Sequence, residues 1–182
     1  HTNLYNYFAD FQDLLWAAFR RALQVYAQQL ITGLNDSLSH QEYLRQVVTN
    51  LAGFPEEHPG LYRFIASDPI PSQVPGDILQ TVSQMKVWLS DTLTFVSAQH
   101  IRPQAAASAA NIGLAYIDGE SLNLINDRQA PGEDVRARVV ENASRLFDRL
   151  SRDDTDPDQV AAPVDSDQHY PRLAIVNDAG GR

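Results

Sequence analysis

The sequence contains no cysteine. Disulfides and thiolate-held metals are therefore excluded. It has one lysine, Lys86, one methionine, Met85, and only two tryptophans. No apolar run approaches the length needed to span a bilayer, and no short apolar core of the signal-peptide kind stands at the front. These absences lead to the expectation of a cytoplasmic protein with no membrane partner. Positive charge is also scarce: 14 Lys and Arg stand against 23 Asp and Glu, a net charge of −9. An acidic chain does not attract phosphate backbones non-specifically, so any nucleic-acid contact has to come from a local element. Catalytic signatures are missing too. There is no G-x-G-x-x-G, no P-loop, no G-x-S-x-G and no H-E-x-x-H. The five histidines, His1, His40, His58, His100 and His169, lie far apart and read as surface or capping residues. No enzyme activity, no metal and no cofactor is expected.

The 182 residues are enough for one sizeable core, and 43% of them are hydrophobic. Their periodicity is helical almost throughout. Asp10 can cap a helix reaching about Leu34, with Phe11, Leu14, Leu15, Ala18, Ala22, Tyr26 and Leu30 on one face. Ser39 and Glu42 form a capping box that opens a second helix, with Leu44, Val47, Val48 and Leu51 inward. The stretch "GFPEEHPG" reads as a turn, followed by a short helix with Leu61, Phe64 and Ile65 inward. A long helix is expected from about Pro75 to Ala98. Ile78, Val82, Met85, Leu89, Leu93 and Val96 mark one face, and Trp88, Thr92 and Phe95 a second. Another runs from Pro103 to about Asn126, and a last one from about Gly132 to Arg152. The tail beyond is acidic and proline-containing and reads as mobile or extended. Within it, Asp154, Asp156, Asp158 and Asp165 approach a calcium-loop spacing. Gln159 stands where the sharp turn needs glycine, and Asp165 where the bidentate Glu belongs, so an acidic tail is the better reading. The fold class is all-α, a multi-helix bundle of about six helices.

Two surfaces stand out. Met85, Trp88, Thr92 and Phe95 combine bulk with polar handles, and Tyr43, Tyr62, Asn111 and Tyr116 can join them around an apolar cavity. The basic residues between Pro75 and Asn126 are Lys86 and Arg102, against Asp77, Asp91, Asp118 and Glu120. A neutral or cationic, largely apolar small ligand is therefore expected. The helix rich in small residues and the last helix are apolar over more than one face. Ala109, Ile112, Gly113, Val139, Val140, Leu146 and Phe147 are expected to meet a second copy of the chain in a homodimer.

The opening "TNLYNYFADFQDLLWAAFRRAL" resembles the end of the DNA-binding region of TetR/AcrR-family transcriptional regulators. Asn3, Leu4, Tyr5, Tyr7 and Phe8 match the end of that family's recognition helix, and Leu14 and Leu15 match its connecting helix. Where the family usually carries a phosphate-binding Lys, this chain has Phe11. The resemblance implies three parts: residues 1–9 as the remnant of a helix-turn-helix, 10–152 as a TetR-like ligand-binding and dimerisation domain, and 153–182 as a tail. It places His1, Thr2, Asn3, Tyr5 and Tyr7 at operator DNA. It implies a ligand-responsive regulator, a repressor released from its operator by a small-molecule effector. The alternative is an all-helical interaction and dimerisation module without a ligand pocket. A concave apolar pocket discriminates the two.

Overall fold

The computed structural model describes residues 7–66, 73–98, 103–128, 132, 134–153 and 169–173. His1, Thr2, Asn3, Tyr5, His100, Arg102 and the aspartates from Asp154 to Asp165 lie outside the described residues. Six helices are described: α1 (Phe11–Ile31), α2 (His40–Glu57), α3 (Pro59–Ala66), α4 (Gly76–Ser97), α5 (Pro103–Ile125) and α6 (Val135–Asp153). Among the described residues there is no strand, and the chain is an all-α, multi-helix bundle. No described helix is long and apolar enough to cross a membrane.

The starts of α1 and α2 follow side-chain capping chemistry, whereas α4 starts after Pro75 without a side-chain cap. The Asp10 carboxylate accepts from the Asp13 amide at 2.8 Å, filling one of the orphan donors of the first turn. At α2 the capping box closes in both directions: Glu42 N–H donates to Ser39 Oγ, and Ser39 N–H donates to Glu42 Oε2 at 2.9 Å. The end of α1 is marked by Gly33, whose φ of +77° is a left-handed geometry that glycine adopts without strain.

Two expectations are corrected. The stretch "GFPEEHPG" is not one turn. α2 continues through Pro55 to Glu57 and breaks only at His58. Pro55 removes the bond to the carbonyl four residues back, but this occurs in the last turn, and Phe54 and Pro55 are both buried there. The buried face of α1 is also rotated from the expected stripe. Ala22 and Leu30 of the expected stripe are buried, but Trp16, Phe19, Leu23 and Ala27 face the core beside them, whereas Leu14, Leu15 and Tyr26 are half-buried, Phe11 is 74% exposed and Ala18 faces solvent. Both stripes have helical spacing. The one carrying a Trp and a Phe removes more apolar area from water and wins. Trp16, Phe19 and Phe64 of α3 pack edge to face, with centroids 6.0 and 5.3 Å apart.

α2 is the central helix, packing against all five others. Its residues Asn50 to Pro55 are buried without interruption, so this stretch has no solvent face. A polar side chain survives there because its hydrogen bonds are filled. Asn50 Nδ2 donates to the carbonyls of Leu30 and Thr32 at 3.0 and 2.8 Å, and its Oδ1 accepts from Gln46 at 2.9 Å. It thereby occupies carbonyls that the end of α1 leaves without helical partners. Gly53 leaves room for the Arg136 guanidinium of α6, which pairs with Glu57 at 2.8 Å. On α5, the row Ala109, Gly113, Ile117, Ser121 and Ile125 is buried at four-residue spacing. A Cβ on Gly113 would sit 2.7 Å from the Phe147 ring. That glycine is what lets α5 and α6 approach so closely.

Asn50→Ala should cost about 2 kcal/mol, because it strands buried carbonyls as well as removing bonds; urea denaturation followed by circular dichroism measures it. Gly113→Ala gains about 1 kcal/mol of helix propensity but overpacks against a ring held in the core, for a net loss of about 1 kcal/mol. Gly53→Ala meets only the movable end of Arg136 and should be near neutral in the same assay, so equal effects at the two glycines would contradict this packing account.

Candidate functional site

The chemistry-bearing side chains fall into two groups. The first lies where α1, α2, α3 and α5 converge. Tyr26 of α1 packs on Phe54 of α2 at 4.6 Å, and Phe54 meets Tyr62 of α3 at 6.4 Å. Ile125 of α5 closes the cluster, and its carbonyl accepts from Arg63. Burial raises the Tyr26 phenol far above its ordinary value, with the Tyr62 and Asp118 charges adding to it. Burial and then the Asp118 charge push Tyr62 up to about 12, while a hydrogen-bonding interaction with Ser121 acts the other way. Both hydroxyls therefore stay protonated at neutral pH and can donate. The Asp118 carboxyl is raised by desolvation and partly pulled back by the Lys86 ammonium of α4. Two other acids on α4 and α5 are held in ion pairs, Asp77 by Arg20 at 2.6 Å and Glu120 by Arg138 at 2.7 Å, and Asp91 is exposed on α4.

The second group is an aromatic groove between α2 and α4, and it is occupied. Residues His169–Leu173, far along the sequence, lie in it. The Tyr170 ring stacks on Tyr43, with centroids 3.7 Å apart and planes at 11°, and meets Phe95 and His40 at 5.7 and 5.6 Å. Its hydroxyl donates to the Leu38 carbonyl at 2.9 Å. The Trp88 indole N–H donates to the Pro171 carbonyl at 3.0 Å. Tyr170 and Leu173 are buried in the main core, and each contributes on the order of 1.5–3 kcal/mol by that burial. Burial and the neighbouring Tyr170 and Asp36 push Tyr43 up to about 12.

The residues singled out from sequence are thus divided. Tyr43, Trp88 and Phe95 come together, but around Tyr170 and Pro171 of the same chain. Tyr62 belongs to the other cluster. Met85 and Thr92 are buried on α4, and the Thr92 hydroxyl has no hydrogen-bond partner among the described residues. Tyr116 accepts from Asn142 of α6 at 3.0 Å, and Asn111 faces solvent on α5. Of the residues expected at a dimer interface, Ala109, Gly113, Val139 and Phe147 are already covered by their own chain. Val140 and Leu146 are half-buried, and Ile112 is 50% exposed. Tyr7 stands 78% exposed beside α1. Sequence reasoning missed Tyr26, which reads as one more position on an apolar stripe, and Tyr170. The island "HYPRL" within an acidic, proline-containing tail was the available signal for the latter. Among the described residues, no group of three His, Asp or Glu side chains could hold a metal ion.

Comparison with known proteins adds no relative: no family model, no curated protein and no solved structure matches the chain.

The raised Asp118 carboxyl has a consequence for stability. The folded state holds this proton more tightly than the unfolded chain. Below the ordinary carboxylate range both states are protonated and nothing is lost. As pH rises through that range the unfolded chain ionises first, and the folded state bears the desolvation cost. Asp118→Asn should match the parent melting temperature near pH 3 and exceed it at pH 7, by at most about 3 °C, since the residue keeps a solvent-facing flank. A difference that does not change with pH in calorimetric scans would contradict the assignment.

Proposed function

We propose that the chain is the ligand-binding and dimerisation domain of a TetR-like, ligand-responsive transcriptional regulator, a repressor that a small-molecule effector releases from operator DNA. One observation carries the reading. α1 follows directly on the segment that resembles a recognition-helix end, and its Tyr26 enters the Tyr26–Tyr62–Asp118 cluster. Phe11 and Tyr26 lie about 22 Å apart along that helix. A molecule seated against Tyr26 therefore acts on the same element that positions the reading head. Only a difference in affinity between the two positions of that element can release DNA.

The cluster's chemistry supports one class of effector. It offers two protonated phenols, an aromatic wall and one carboxylate, with the Lys86 ammonium and the Arg63 guanidinium as nearby cations. That suits a neutral or cationic, largely apolar molecule. The exposed α5 face around Ile112 and Leu122 supports a homodimer. The same face also favours the second reading, a helical interaction module, which needs no effector.

The test uses tetraphenylphosphonium and its anionic counterpart tetraphenylborate, which share size and shape. At ten times its Kd the phosphonium should raise the melting temperature of the full-length protein by about 3–5 °C. The borate should not, and Asp118→Asn should remove the distinction. The phosphonium should also weaken binding to the protein's own upstream DNA, followed by fluorescence anisotropy. Stabilisation by the borate alone overturns the ligand class. Absence of DNA binding with or without the phosphonium overturns the regulator reading.

A further inference from the structure

The groove between α2 and α4 has the properties of a receptor, and its occupant is a short extended segment. Two side chains of the segment, Tyr170 and Leu173, enter the core, while His169 and Arg172 remain in solvent. The fit is specific on both sides. Tyr43 supplies a parallel face for the phenol, and the Leu38 carbonyl accepts its hydrogen bond. Trp88 reaches the carbonyl of the next residue, where proline fixes an extended backbone. Arg172 adds a solvent-exposed ion pair to Asp36 at 3.6 Å. No strand pairing ties the segment to the body among the described residues. The arrangement has two anchored side chains, a backbone bond from an indole and a charged rim. This is how folded domains hold peptides rather than how they build their own helical cores.

We propose that the α2–α4 groove is a peptide-recognition site for an extended Tyr-Pro-x-Leu segment, occupied reversibly by the chain's own residues His169–Leu173. Residues 154–168 lie between α6 and the segment in the sequence. Because the segment and the groove belong to one chain, the resident segment competes with a free peptide as an intramolecular ligand. The groove is therefore filled in cis, and a peptide of the same pattern enters only when the resident segment is weakened. Release uncovers Tyr43, Trp88 and Phe95 together, so the strap also decides when that aromatic surface meets anything else. This inference is independent of the regulator reading and stands or falls by itself.

The probe is a fluorescein-labelled peptide of residues 166–174, and the readout is anisotropy with the intact chain. Tyr170→Ala empties the aromatic slot and should bind the peptide saturably, while the parent chain binds it at least tenfold more weakly. A peptide with alanine in place of its tyrosine should not bind. Adding Tyr43→Ala to Tyr170→Ala should abolish binding, and adding Trp88→Phe should weaken it about fivefold. Leu173→Asp, which leaves every groove residue in place, serves as a second emptying variant. Equal binding to the parent and Tyr170→Ala, or no binding to either emptied variant, overturns the proposal. So does loss of helical circular dichroism in both, because the segment is then integral to the core.

Discussion

The rest of the structure depends on the burial of the second half of α2. A helix surrounded on all sides cannot carry an ordinary mixture of residues. Each of its positions answers to a different neighbour, and Asn50, Gly53 and Pro55 are each the solution to one contact. Asn50 meets the loose carbonyls at the end of α1. Gly53 yields space to an arginine of α6. Pro55, beside Phe54, lies where the helix is about to end. With α2 fixed in this way, the other five helices have one common surface to pack on, and both side-chain groups discussed above are built on its flanks.

The architecture could be read from the chain because helical spacing is a strong signal and breaks are marked by proline and glycine. Apart from the end of α2, the six helices lie within a few residues of their expected limits. The capping residues Asp10 and Ser39 act as their types predict. The failures are informative. Two stripes on α1 have equal periodicity, and only the partner helices choose between them. The proline of "GFPEEHPG" is a turn signal in isolation, but the core reward for Phe54 overrides it.

The sites were harder to read, for a physical reason. Aromatic side chains at helical spacing look the same whether they line a hollow, pack a core or bind another segment. Tyr43, Trp88 and Phe95 do come together, but what joins them is Tyr170 and Pro171, over seventy residues beyond Phe95 in the sequence. No local pattern carries that information. Tyr26 and Tyr62 are brought to Asp118 by the crossing of three helices, which is equally invisible to a window of sequence.

The chain's single lysine has a consequence that reaches beyond composition. Lys86 is solvent-exposed and supplies the opposing charge that eases the ionisation of Asp118. An exposed ammonium acts through water, so dissolved ions attenuate its influence, whereas the desolvation it opposes is insensitive to them. Rising ionic strength therefore strengthens the carboxyl's hold on its proton, and the charge that Tyr26 and Tyr62 feel from Asp118 is coupled to the saltiness of the surrounding medium through one replaceable side chain.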